Sequence, residues 1–207
     1  MTFLTASDRE RIEAAVAAAE ARTAAEFVTV VTPASGRYLY LPTLAAAAAT
    51  LALSGVALLI PWSEPPTLEA FFLAQVGGFS ALFALFAWRV VRHRLVPRAE
   101  QAACAKARAH QLFLDLGLAA TRDRTGVLFF VSVGEHYVEI VTDVGIKALI
   151  DDATWVRTVE RFTQAVGHGR IADGFIEAIE ACGRVLAERL PVRPDDRNEL
   201  PDCPVEV

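Results

Sequence analysis

Between Tyr38 and Ile60 the chain carries no charged residue: YLYLPTLAAAAATLALSGVALLI. An α-helix rises 1.5 Å per residue, so about 20 residues cross the roughly 30 Å hydrocarbon core of a bilayer. A second uncharged run, AFFLAQVGGFSALFALFAW, extends from Ala70 to Trp88. Leu, Ile, Val and Phe each favour insertion by roughly 0.3–0.6 kcal/mol, whereas one central charge costs about 2.5–3.5 kcal/mol. With no charge to offset, residues 39–60 and 70–91 read as two transmembrane helices. The competing reading, a pair of core helices in a water-soluble protein, fits poorly because both runs are apolar all round.

Residues 61–67, PWSEPPT, are all that separates the runs. Seven residues cannot recross a bilayer, so the two helices form an antiparallel hairpin. The turn holds no Lys or Arg, while Arg37 precedes the first helix and Arg89, Arg92, Arg94 and Arg98 follow the second. The positive-inside rule then puts both flanking segments in the cytosol and the turn outside. Tyr38, Tyr40 and Trp88 mark the inner interface and Trp62 the outer one. No Asp, Glu, Lys or His lies at mid-depth, and Gln75 is the clear intramembrane amide, which argues against an ion or proton pathway. Gly55, Gly77, Gly78 and the alanines 45–49 offer small-residue faces for packing within the hairpin or for self-association.

The rest of the 207 residues suffices for one small domain. The net charge of −5 is too mild to argue for a nucleic-acid partner, and none is expected. Three cysteines, Cys104, Cys182 and Cys203, with no C-x-x-C spacing, predict neither a disulfide framework nor a structural zinc site. The first 25 residues lack the basic and apolar regions of a signal peptide.

Ser7 to Glu10 reads as a capping box, with Ile12, Ala15, Val16 and Ala19 at helical spacing behind it. Glu26–Thr32, EFVTVVT, is β-branched, is followed by Pro33 and reads as a strand. One helix and one strand cannot form a core, so their partners must lie beyond the hairpin. There, residues 97–116 read as a helix ended by Gly117, and Gly126–Ser132 and residues 136–143 as a β-hairpin turning at Gly134 and Glu135. Residues 152–166 and 173–190 read as two more helices, the last with Ile176, Ile179, Cys182, Leu186 and Leu190 on one stripe. Strands apolar on both faces call for helices on both sides of the sheet. The proline-rich segment 191–207 reads as an extended tail. The chain thus divides into 1–38, the first part of a split soluble domain; 39–91, the transmembrane hairpin; 92–190, the remainder of the domain; and 191–207, the tail. The early strand can join the later β-hairpin only if both lie on one side of the membrane, which an even number of spans allows.

AEARTAAEFVTVV, then the apolar insertion, TRDRTGVLFFVSVGEHYVEIVTDVGI, ADGFIEAIEACGRVLAERLP and RNELPD together resemble the TPM domain family over nearly the whole chain. The resemblance is to a bacterial membrane branch with two spans inserted after the first strand. It implies an α/β fold: a TPM-like α/β/α sandwich around a small mixed sheet, interrupted by a two-helix transmembrane hairpin. It also implies a place in the bacterial cytoplasmic membrane. For plant-type members it implies acid phosphatase activity and calcium binding. Where the family pattern has Asp-Asn-Gly before the middle strand, this chain has Arg124-Thr125-Gly126, with Asp123 alongside.

Candidate chemistry is sparse. Glu139 and Asp143 lie four apart on a strand and so share a face, with Tyr137 beside them. Joined by Asp123, Asp151 or Asp152, they are candidates for a phosphatase site holding calcium or magnesium. The plainer reading is a solvated strand end. Arg122 and Arg124 are candidates to grip an anion, or to form a local ion-pair network with Asp123. Gly167-His168-Gly169-Arg170 is either an anion-binding helix start or an inter-helix turn. Arg92, Arg94 and Arg98 are candidates for lipid headgroups. No nucleophile elbow, P-loop or dinucleotide fingerprint occurs. The expectation is a membrane-anchored binding or auxiliary module for another membrane protein, with no assembled catalytic constellation. The alternatives are a divalent-metal-dependent phosphatase and an anionic-lipid surface module.

Overall fold

The computed structural model describes residues 3–36, 38–88, 91, 96–147, 149, 152–193 and 198–207, with the side chain of Asp152 left aside. Two compact units emerge, one made of residues 1–35 and 102–207 and the other of residues 36–101.

In the first unit α1 (Ala6–Glu20) leads into β1 (Glu26–Thr32). The helix cap lies two residues earlier than the Ser7 reading. Thr5 is the N-cap: its hydroxyl accepts from the Asp8 N–H at 3.1 Å, and Asp8 accepts from the Thr5 N–H at 3.0 Å. Thr5-Ala-Ser-Asp8 completes the reciprocal pair with the shorter acid, which leaves Ser7 inside the first turn.

After α4 (Arg98–Asp115), Gly117 adopts φ 81°, the left-handed stop expected of it, and the 3₁₀ turn Leu118–Ala120 follows. Next come β2 (Gly126–Ser132), β3 (Tyr137–Thr142), the short α5 (Val144–Lys147), α6 (Asp152–Gly167), α7 (Ile171–Arg189) and β4 (Val205–Glu206). The sheet order is β3-β2-β1-β4. β1 runs parallel to β2 in unbroken register, Glu26 opposite Gly126 through Thr32 opposite Ser132, and β3 is antiparallel to β2. Parallel neighbours need a long crossover. The connection from β1 to β2 had to be long anyway, and it carries both the apolar insertion and α4.

Every residue of β1 and β2 is buried. Phe27, Val31, Val127, Phe129 and Val131 face one core with Ile12 and Val16 of α1, Phe162 of α6, and Phe175 and Ile179 of α7. Val28, Val30, Leu128 and Phe130 face the other core with Ala105, Ala109, Leu112 and Phe113 of α4. The architecture is therefore an α/β/α sandwich around a small mixed sheet. Rings tie the first core together, with Phe27–Phe129 centroids 5.9 Å apart and Phe162–Phe175 5.0 Å apart. The tail is not merely extended: β4 pairs parallel with β1, Val205 opposite Val30 and Glu206 opposite Val31.

The second unit is a helical hairpin, α2 (Tyr40–Leu59) and α3 (Leu68–Ala87), both long and apolar enough to cross a membrane. Only Pro42, Ala46 and Thr50 of α2 are buried, and no residue of α3. Hydroxyls turn back onto their own helices: Thr50 donates to Ala46 O at 2.7 Å and Ser54 to Thr50 O at 2.8 Å. Gln75 of α3 donates to the Ser54 hydroxyl at 3.3 Å across the hairpin. Thr67 caps α3 by accepting from the Ala70 N–H.

Candidate functional site

The stretch Thr121 to Gly145 folds as one hydrogen-bonded corner where β2 begins and β3 ends. Thr121 accepts the Thr125 N–H at 3.1 Å, and the Asp143 N–H donates to Gly126 O at 3.0 Å. Gly145 passes so close that a Cβ there would sit 2.6 Å from Arg124 O, so only glycine fits. Arg124, at φ 58°, turns its guanidinium onto Asp143: Nε to Oδ2 at 2.6 Å and Nη2 to Oδ1 at 2.9 Å. This is a bidentate, charge-assisted pair. Asp143 is 4 % exposed, not a solvated strand end, and it also accepts the Val144 N–H at 2.6 Å. Arg124 beside it holds the carboxyl below the usual carboxylate range, with burial opposing and the Val144 N–H assisting.

The three candidate carboxylates do not converge. Asp123 pairs with Arg193 at 2.9 Å, Glu139 accepts from the Tyr137 hydroxyl at 2.9 Å, and Asp143 is taken by Arg124. Among the described residues no group of three His, Cys, Asp or Glu could hold a metal. Asp151 and the side chain of Asp152 lie outside them. The calcium or magnesium implied by the resemblance does not fit: at Asp143 a guanidinium already sits where a cation would bind. Arg122, Asp123 and Arg124 instead form an ion-pair and hydrogen-bond network, with the Arg122 N–H donating to Glu199 at 3.1 Å. Arg98 is exposed at the start of α4, while Arg37, Arg89, Arg92 and Arg94 lie outside the described residues. At Gly167 to Arg170 the chain makes an inter-helix turn, with Gly169 at φ 76° and the His168 ring against Gln164 O.

Three cavities in the first unit have polar walls. One of about 230 Å³ is lined by His110, Glu139, Lys147 and Trp155. Burial first, then Glu139, pushes the Tyr137 hydroxyl well up, so it acts as a donor at any ordinary pH. A groove of about 380 Å³ between α6 and α7 sets Arg157, Arg161 and Arg184 among Glu177 and Glu180. The third, of about 280 Å³, lies beside Glu20, Glu26 and Asp202. This acidic group escaped sequence reasoning because its members are separated by up to the length of the chain. Burial pushes the Glu20 carboxyl up to about 8; the Phe27 N–H bonded to it opposes, and Glu26 and Asp202 add to the rise. Glu135 was also under-read as a plain turn residue. It accepts the Ser35 N–H at 3.0 Å and the Ser132 hydroxyl, tying the β2–β3 turn to the segment after β1.

In the second unit a groove of about 870 Å³ opens between the two helices near their turn, lined by Leu53, Ala57, Trp62, Phe71, Ala74 and Gly78 among others. Its walls are predominantly apolar, with Ser54 and Gln75 as its polar pair.

A search of curated proteins finds no match. Among solved structures the fold is similar to the NMR structure of the BA42 protein from the psychrophilic bacterium Bizionia argentinensis. The identity is 20 % and the TM-score 0.61, with 100 % of this chain and 97 % of that one covered. The family model described as the TPM domain matches residues 90–185, which hold β2, β3 and most of α7 but not the β1 they pair with. Residues 90–185 of the chain thus carry a match to the TPM domain, the domain that the sequence resembles.

Proposed function

We propose that the chain is anchored in a bacterial cytoplasmic membrane by α2 and α3, with both parts of the sandwich in the cytosol, and that it serves as a binding or auxiliary module for another membrane protein. The observation that carries this reading is the apolar groove between α2 and α3. Helices exposing Leu51, Leu59, Phe72 and Leu73 gain nothing in water. In a bilayer such faces meet lipid, and a groove walled by Ala57, Ala70, Ala74 and Gly78 admits the close approach of a partner helix. The soluble unit supports the same reading, since Asp123, Glu139 and Asp143 are each engaged by a structural partner. The exposed Arg98 is placed to meet anionic headgroups.

The test is crosslinking in intact membranes followed by detergent extraction of the tagged full chain. A reproducible membrane-protein partner, lost when Ala74→Leu and Gly78→Leu fill the groove, is the expected result. Recovery of the same proteins with the filled groove, or of none above background, overturns it. So does the result expected of the phosphatase alternative: calcium or magnesium binding, with phosphate-ester hydrolysis abolished by Asp143→Asn.

A further inference from the structure

Residues 198–207 are fastened along the free edge of β1 at four points. The Glu26 carboxylate accepts the N–H groups of Glu199 at 3.2 Å and Leu200 at 3.3 Å. Leu200 and Val205 pack against the second core. Val205 and Glu206 pair with Val30 and Val31, and the Val207 N–H reaches Val31 O at 3.2 Å. Arg9 of α1 closes the far end on Glu206 at 2.7 Å. Against this, β4 has only two residues beside the seven of β1, so the seat rests on side-chain fastenings more than on a ladder.

One fastening is internally opposed. Asp202 of the tail sits with Glu20 of α1 and Glu26 of β1 around one small cavity, and Asn198 donates to Asp202 at 2.6 Å. Three carboxyls gathered at one point are compatible only while one of them keeps its proton. We infer that residues 198–207 are a displaceable strap over the β1 edge, held by Arg9 and by the Glu20–Glu26–Asp202 node, and that proton loss at this node loosens it. Loosening uncovers main-chain donors and acceptors of β1, an edge able to pair with another strand. Glu20 is the group that retains the proton: it is half-buried and hydrogen-bonded by the Phe27 N–H, and the charged groups acting on it are Glu26 from its own β1 turn and Asp202 from the strap. Its carboxyl is raised in the seated state, so the seat is firmest below the ordinary carboxylate range. It weakens as pH rises towards about 8 and weakens no further above that.

Cys203 lies exposed within the strap and takes a spin label in the full-length Cys104→Ser protein in detergent, since Cys182 is buried. The mobile fraction of the label should rise about threefold or more between about pH 5 and about pH 8 and then level off. Glu20→Gln keeps the acceptor for Phe27 and a donor for Asp202, so its label should stay immobile across the range. Arg9→Glu should mobilise the label at every pH, and Arg9→Glu with Glu206→Arg should restore the seat. A label equally mobile at all pH values in the parent, or a pH response unchanged in Glu20→Gln, overturns the inference.

Discussion

The sandwich and the hairpin spend the same apolar side chains in opposite directions. In the sandwich Phe27, Phe129, Phe162 and Phe175 are within 1 % of full burial, and Arg124 and Arg193 pair with Asp143 and Asp123 at its corner. In the hairpin Leu58, Leu59, Leu68 and Leu73 are exposed, while Ser54 and Gln75 find each other between the helices. The sandwich hides its large apolar side chains, and the hairpin shows them. The contrast teaches that burial, rather than hydropathy alone, separates a core helix from a candidate membrane span.

The sharpest way to break this contrast is to truncate a large side chain in each region. Phe129→Ala, against the ring cluster, should cost about 3–5 kcal/mol of sandwich stability in a detergent-solubilised thermal melt. Leu59→Ala, on an exposed face of α2, should change that melt by less than about 0.5 kcal/mol. Equal losses would mean that both regions share one packed core.

A smaller effect, opposite in sign along the pH axis, should separate Asp143 from Glu20. Asp143 is held below its ordinary value, so the unfolded chain binds the extra proton. Its contribution is present above the ordinary carboxylate range and is lost as pH falls through the depressed value. Glu20 is raised to about 8, so its contribution is present in acid and lost as pH climbs to that value. Melts over pH should therefore show Arg124→Ala flattening the acid limb and Glu20→Gln flattening the alkaline one. Arg124→Ala strands a buried carboxylate and should lower stability at pH 7, while the exposure of its guanidinium limits the loss. A variant that flattens the other limb would refute the assignment.

The smallest effect concerns the start of α1. Thr5→Ala should lower stability by about 1 kcal/mol and Ser7→Ala by no more than a few tenths. The reverse order would restore the Ser7 cap.

Much of the sandwich was legible because its signals are local. The bounds of β1 and β2 follow from a β-branched run and an apolar run that both cores bury, and Gly117 announced the end of α4. The hairpin was legible from charge-free length. What escaped was long-range. The strand β4 is two residues, with Glu206 ion-paired to Arg9 almost two hundred positions away, and no propensity in Val205–Glu206 foretells it. The capping register escaped because two overlapping boxes compete within six residues, and only the geometry shows that Asp8 answers Thr5. At the candidate site, strand periodicity placed Glu139 and Asp143 on one face. It could not show that Arg124 turns back to occupy Asp143, since that depends on a left-handed backbone at Arg124 and on the close pass of Gly145.

The central proposal is that the hairpin crosses a membrane and returns the chain to the side it left, so that β1 can lie between β2 and β4. Impermeant maleimide labelling of single-thiol proteins in right-side-out and inside-out membrane vesicles tests it directly, with Ser7→Cys, native Cys203 and Glu64→Cys as the three positions. The account predicts that Ser7→Cys and Cys203 react only in inside-out vesicles and Glu64→Cys only in right-side-out ones. Ser7→Cys and Cys203 reacting from opposite sides would contradict it.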